Sequence, residues 1–430
     1  MPALRRIVHE VQSLELSGAA TRYDKHHLVV GQARVEALFV DPALASVQVH
    51  IASPGDAVRI IAPLDVVEPR SKGPAGGAFP GWLAPVNRKR GGDTHVLRGA
   101  AVLAAGFLPR NQEGLIDMSG PAAELSPFGR TNNVVIEFDR ADDASWQEAE
   151  VALRRGLLRL AVHLADAAVD AEPDAVEELA PPHRPGTPTD GLPRVGVITN
   201  LQTQGAFKDV FVYGRSMAGS LPTLFDPAEI EDGAVVSGQY GHPALRNPTY
   251  LHQNHPVIAE LRARAGRDLR FAGVVLCPEP VEQKDKELVS AHAAWLCRAA
   301  GFDAAIVTKE GAGNADNDLM LKVDALEDDG LTAVALYAEM SGADGTGPPV
   351  VAGPRRGAVV STGNYDQRVQ LPAVERALGG ARLGIADAKA TAAVEVPTAA
   401  ILSALSPLGA GRLTCRAEQE LVAQQSGGTA

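Results

Sequence analysis

The stretch that decides the fold runs from Arg270 to Met340. It reads "RFAGVVLC", then "EQKDKELVSAHAAWLCRAAG", then "AAIVTKEG", "DNDLMLKVDALEDDG" and "TAVALYAEM". Continuous apolar runs separated by segments with helical spacing are βαβ units, which build a mostly parallel sheet covered by helices on both faces. The alternation extends outward through "RVGVITN", "GAVVSGQY" and "PVIAELRARAG" on one side and "GAVVSTGNY" on the other. A doubly wound, mostly parallel α/β domain is therefore expected over 194–430.

Upstream the pattern changes. "HHLVVGQARVEALFV", "ASVQVHIASPGDAVRIIAPLDVVEP", "THVLRGAAVLAAGF" and "TNNVVIEFD" are Val- and Ile-rich runs broken by Gly, Pro and Asp, the composition of a mixed or antiparallel sheet. The helix "ASWQEAEVALRRGLLRLAVHLADAA" closes this half. A β-rich mixed α+β domain is expected over 1–175. From Leu164 to Pro193 the chain passes from an acidic helical stretch to a Pro-, Gly- and Thr-rich one, which predicts an exposed linker over 176–193.

The 430 residues are 45% hydrophobic and 21% charged, enough for two or three cores. A net charge of -12 argues against nucleic acid and anionic membrane surfaces, so small molecules and proteins are the expected partners. "MPALRRIVHEVQSLEL" lacks the apolar run of a signal peptide, and no segment is apolar enough to span a membrane, which predicts a cytoplasmic protein. Cys277, Cys297 and Cys415 lack CxxC spacing, which fits neither a disulfide framework nor a thiolate zinc site. Cys277 ends an apolar strand, as a nucleophile or as a small apolar residue.

In a doubly wound sheet the ligand crevice lies at the carboxyl ends of the strands. Those exits carry Asn200, Gln202 and Gln204; Gln239 and Tyr240; Cys277; Glu310, Asn314 and Asp318; Glu339; and Asn364. In "KEGAGNADND", Gly311 and Gly313 either form a turn before a capped helix or let the backbone approach a ligand whose ammonium binds Glu310 or Asp318. Pro256 suits the first position of a helix, which places His255 near its N-cap, with His252, Gln253 and Asn254 just before it. Such a helix start binds an anion, most simply an amino-acid carboxylate, unless Asn254 or His255 caps it. Asp24 and His26 share a face if "YDKHHLVV" is a strand, and are the only metal-ligand candidates, needing further ligands from elsewhere. No Walker loop or GxGxxG pattern occurs.

Taken in order, "THVLRGAAVL", "IDMSGPAAELSPF", "TNNVVIEF", "TNLQTQGAFKDVFVYG", "TYLHQNHPVI", "RFAGVVL", "TKEGAGNADNDLM" and "STGNYDQ" resemble the α/β proprotein of component B of glycine, sarcosine and betaine reductases, and more distantly the D-proline reductase proprotein. The resemblance covers nearly the whole length. It implies self-cleavage at a cysteine that becomes a pyruvoyl group, a Schiff base between that ketone and the substrate amine, and attack on the substrate by a partner's cysteine or selenocysteine, with electrons supplied by thioredoxin. Here Tyr240 stands where the resemblance places the cysteine, and no Cys, Ser or Thr lies between Gly238 and Thr249. Pyruvoyl formation needs a side-chain nucleophile that attacks the preceding carbonyl and is then eliminated, and the phenol of tyrosine does neither.

The expectation is an unprocessed chain without a pyruvoyl cofactor, in a complex with a component B-like partner bearing a redox cysteine or selenocysteine. Tyr240, His242 and Glu310 are the expected catalytic groups. Asn200, Gln202, His252, Asn254, His255, Asn314, Asp318, Glu339 and Asn364 are the expected substrate contacts. The alternatives are a repurposed biosynthetic or metal-assisted enzyme on a glycine-like substrate, and a non-catalytic scaffold.

Overall fold

The computed structural model describes residues 4–86, 92–182, 191–204, 210–347 and 353–408. The first half holds two four-stranded mixed sheets. One comprises β1 (Leu4–Glu10), the short strand β5 (Arg70–Ser71), β6 (Gly92–Arg98) and β9 (Ala175–Leu179), in the order β9-β1-β6-β5. The other comprises β2 (Leu44–Ala52), β4 (Pro63–Val67), β7 (Ala100–Ala105) and β8 (Asn132–Arg140), in the order β2-β8-β7-β4. A further strand, β3 (Val58–Ile61), pairs outside both. Parallel pairs (β1 with β6, β7 with β8) sit beside antiparallel ones, as the broken β patterns imply.

The closing helix α1 (Trp146–Asp166) starts at a reciprocal capping box: Ser145 Oγ accepts from the Glu148 N–H, and the Glu148 carboxylate accepts from the Ser145 N–H. Its buried face, Leu153, Leu157, Leu160 and Leu164, packs with Val67, Leu97, Val102 and Val134 into one core. The expected linker is in part structured, since Ala175–Leu179 is an edge strand hydrogen-bonded antiparallel to Leu4–Val8; residues 183–190 of it lie outside the described residues.

The second half contains a six-stranded sheet of β10 (Arg194–Gln202), β11 (Thr223–Phe225), β12 (Arg270–Glu279), β13 (Ala304–Thr308), β14 (Thr332–Glu339) and β15 (Ala358–Asn364), in the order β11-β12-β10-β13-β14-β15. All neighbours are parallel except the edge strand β11. Helix α2 (Pro256–Arg264) covers one face through Val257, Ile258 and Leu261. Helices α3 (Gln283–Ala299) and α4 (Asn314–Asp328) cover the other through Val289, Ala293, Leu319 and Val323. The doubly wound architecture is thus present, and the five parallel strands, counted along the chain, lie in the spatial order 2-1-3-4-5.

Two segments depart from the expected layout. "GAVVSGQY" contributes only Val235–Val236, which pair with Phe211–Val212 in a small separate sheet. Val236 and Tyr240 then join the core of the first half. Past β15 the chain returns to that half, where β16 (Arg376–Leu378) pairs in parallel with β3. There the buried Arg59 forks onto Asp117 at 2.7 and 2.9 Å and donates to the carbonyls of Pro372, Ala390 and Ala392. Leu378, Leu402 and Leu408 of this last part pack into the core around Ile60.

Candidate functional site

The order 2-1-3-4-5 puts the topological switch between β10 and β13, where the connections leave in opposite directions and open a crevice. Gln202 ends β10, and Glu310 follows β13 by two residues. They meet there: the Gln202 N–H donates to Glu310 Oε2 at 2.8 Å. Gly311 has a φ of +71°, and a Cβ on it would fall 2.2 Å from Gln202 Oε1, so this turn requires glycine. His252 Nε2 stands 3.4 Å from Glu310 Oε1, the Glu310 N–H donates to Glu279 Oε1 at 3.3 Å, and Gln239 Nε2 donates to Gln202 Oε1 at 3.3 Å. All five side chains are buried.

Behind them lies a charged layer. Asp318 binds Lys286 and accepts from Gln204 Nε2 at 2.9 Å, and Lys322 Nζ lies 3.7 Å from its other oxygen. These residues are also buried. Burial, reinforced by the neighbouring Asp318 and Glu310 carboxylates, pushes the Glu279 carboxyl well above the usual range, which favours its protonated form. Burial also raises Asp318, against the pull of Lys322 and Lys286. Both polar atoms of the Asn200 side chain, Gln239 Oε1, Glu279 Oε2 and Lys322 Nζ are buried without a hydrogen-bond partner. Buried polar groups are normally paired, so orphans gathered at a switch point mark a place where a polar ligand or water completes the bonding.

Not all expected site residues converge here. Gln202, His252 and Glu310 do; Asp318 lies in the charged layer with Gln204, and Asn200 is buried two residues before Gln202, on the same face of β10. Asn314 is exposed at the start of α4, contributing only its backbone carbonyl, 3.4 Å from Lys286 Nζ. Glu339 and Asn364 face each other across β14 and β15, with Ser341 Oγ donating to Glu339 and Asn364 Nδ2 to the Gly342 carbonyl. His255 caps α2 through Nδ1, which accepts from the Ile258 N–H at 3.4 Å, and burial lowers its pKa to about 3. The helix start is thus occupied by its own side chain. Asn254 accepts from Arg6 at 3.3 Å, on the side of the first half.

The Tyr240 ring turns into the core of the first half, where its hydroxyl accepts from Arg154 at 3.0 Å and the ring borders a cavity of about 10 Å³ beside Asp65. Its neighbour Gln239, not Tyr240, reaches the Glu310 cluster. His242 is left-handed at φ +44° and lies 3.3 Å from the Tyr365 hydroxyl; burial, with Lys309 and Arg246 nearby, lowers it to about 4. Cys277 is buried on the α3 face, and burial pushes its thiol up to about 12, so it is an apolar core group and not an exposed thiolate. His26 sits in a turn at φ +71° and pairs with Asp174 at 2.6 Å, whereas Asp24 ends the preceding strand. Among the described residues no group of three or more His, Cys, Asp or Glu side chains is placed to hold a metal ion. A cleft of about 460 Å³ lined by Phe107, Glu137, Trp146 and Gly379 opens on the first half and shares no residue with the switch-point cluster.

The family model for glycine/sarcosine/betaine reductase component B subunits matches residues 4–399. The chain belongs to this family. It is 37% identical to the glycine reductase complex component B subunits alpha and beta of Peptoclostridium acidaminophilum over 394 residues, 89% of this chain and 92% of that protein. Against the sarcosine reductase complex component B subunit alpha of the same organism it is 37% identical, covering 84% of this chain and 86% of that protein. Against the betaine reductase subunit alpha the identity is 32%, covering 81% of each. No solved structure matches. The resemblance carried by the ordered motifs therefore holds over residues 4–399.

Sequence reasoning missed Glu279, Lys286 and Lys322 as members of the switch-point cluster and the charged layer behind it. Glu279 was legible in principle, two residues beyond Cys277 and hence on the same face at the strand's end. Lys322 follows Asp318 by one helical turn on the buried face of α4, a charge where the amphipathic pattern calls for an apolar residue.

Proposed function

We propose that this chain is a subunit of a glycine/sarcosine/betaine reductase-like complex that binds a small amino acid or amine at the β10/β13 switch point, without a pyruvoyl group. One observation carries the reading: a fully buried carboxylate, Glu310, anchored on the Gln202 N–H in a cluster with Gln239 and Glu279, each of which has a buried oxygen without a hydrogen-bond partner. Glu310 is the group for a substrate ammonium, and the Asn200 amide, whose two polar atoms have no hydrogen-bond partner, is the donor for a carboxylate. Glu279, held toward its protonated form, places a proton beside the bond to be broken.

The residues from Gly238 to Pro248 do not fit a pyruvoyl precursor, since none is Cys, Ser or Thr. Tyr240 is committed to Arg154 instead. Reductive cleavage requires a soft nucleophile able to cycle its redox state. Cys277 and Cys297 are both buried and Cys415 lies outside the described residues; with no exposed thiol among the described residues, this reading takes the thiol or selenol from a partner subunit. Calorimetric titration with glycine, sarcosine and betaine, followed by turnover assays with and without a thiol- or selenol-bearing partner, tests this. Binding to at least one of the three and partner-dependent turnover are expected. Full turnover by this chain alone would overturn the partner mechanism, and absence of binding to all three would overturn the substrate class.

A further inference from the structure

Helix α3 presents two opposed faces. Lys286, Val289, Ala293 and Cys297 are buried against the sheet, yet Leu288 is 57% exposed and Trp295 59% exposed. At about 100° per residue, Leu288, Ala291, His292, Trp295 and Ala299 form one stripe pointing directly away from the buried face. The His292 and Trp295 rings lie 5.7 Å apart, which makes the stripe continuous. Beside it the edge strand β11 adds Leu224 at 40% exposure, on the same sheet face as Val275 under α3, and the segment leading into β11 adds Leu221 at 52%. Scattered exposed apolar residues are ordinary, but two large ones seven residues apart on the solvent face of one helix, with alanine between them, form a packing seam.

The charges along α3 select the occupant. Its N-cap Glu282 and its first half, with Lys284 and Glu287 exposed and Asp285 partly exposed, carry an acidic balance, whereas Arg298 is the only Lys, Arg, Asp or Glu in the second half. An antiparallel crossing of two such helices sets each acidic half against the other's Arg298 end and opposes the helix dipoles; a parallel one would stack acid on acid. Glu287 and Arg298 lie on the same flank of the stripe, so they meet across such a crossing. We propose that α3 is a homodimer interface: two copies of the chain cross antiparallel about a two-fold axis near His292, with Leu288 of each packing on Trp295 of the other. The patch is self-complementary, as an isologous interface requires.

Sedimentation velocity across the micromolar range should give twice the 44.9 kDa of one chain. Leu288→Glu or Trp295→Glu should halve that mass while leaving the circular dichroism spectrum unchanged and the urea midpoint equal to that of the wild-type chain diluted to its monomer, because neither side chain touches the core. Glu287→Arg should weaken dimerisation about tenfold, and adding Arg298→Glu should restore it. A monomeric wild-type chain, a dimer indifferent to Trp295→Glu, or association only with a different polypeptide would overturn the proposal.

Discussion

Glu310→Gln separates binding from folding at the switch point. In the folded chain Glu310 Oε2 accepts from the Gln202 N–H and Oε1 faces His252 Nε2 at 3.4 Å. Glutamine keeps an acceptor for the Gln202 N–H and fills nearly the same volume, while the buried charge disappears. Stability should therefore change by no more than about 1 kcal/mol, in either direction. A charge-assisted hydrogen bond from a ligand ammonium contributes about 1.5–3 kcal/mol, and each 1.4 kcal/mol is about tenfold in affinity, so binding should weaken by about 10- to 150-fold. The loss should be larger for glycine and sarcosine, which donate N–H groups to the carboxylate, than for betaine, whose quaternary nitrogen has none. Calorimetry on both proteins, with urea unfolding of each, measures the two effects. A stability loss of several kcal/mol with unchanged affinity would show that Glu310 is an anchor for the β10/β13 turn and refute the assignment.

Arg59→Met should cost about 3–5 kcal/mol in urea unfolding because it leaves Asp117 buried and unpaired, and Arg59→Met with Asp117→Asn should cost less. His255→Asn keeps an N-cap acceptor but removes a buried imidazole whose folded pKa, about 3, lies below its unfolded value. The unfolded state then binds more protons, so the wild-type chain should lose stability relative to the variant as pH falls from about 6.5 toward 3, and the two should run parallel above pH 7. Intact-mass spectrometry should find one polypeptide near 44.9 kDa; two fragments parting at Gln239, with a carbonyl reactive to hydrazines, would contradict the unprocessed reading.

The βαβ alternation from Arg270 to Met340 was legible because buried parallel strands are apolar throughout and their helices carry a 3.6-residue period, both local properties of the chain. "GAVVSGQY" misled for the same reason. Its apolar run is as strand-like as the others, but Tyr240 finds Arg154 and the aliphatic core of the first half, and that distant partner pulls the segment out of the main sheet. The same limit applies to His255, whose polar character marked it for ligand binding or capping alike, and which the packing of α2 commits to the cap.

The sequence by itself determined the fold class, the family and the exits at which polar residues collect, since these follow from periodicity and an ordered set of motifs. It also determined that no eliminable side chain stands between Gly238 and Pro248. Only the tertiary structure decided which exits meet. Strand order, a property of long-range pairing, brings Gln202 beside Glu310 across 108 residues of chain and leaves Asn314, Glu339 and Asn364 outside the cluster. Burial then decided the chemistry: the same residue types are ordinary ions in water, and become a buried Lys322–Asp318 pair, a protonation-prone Glu279 and an inert Cys277 once the helices of both faces have excluded solvent.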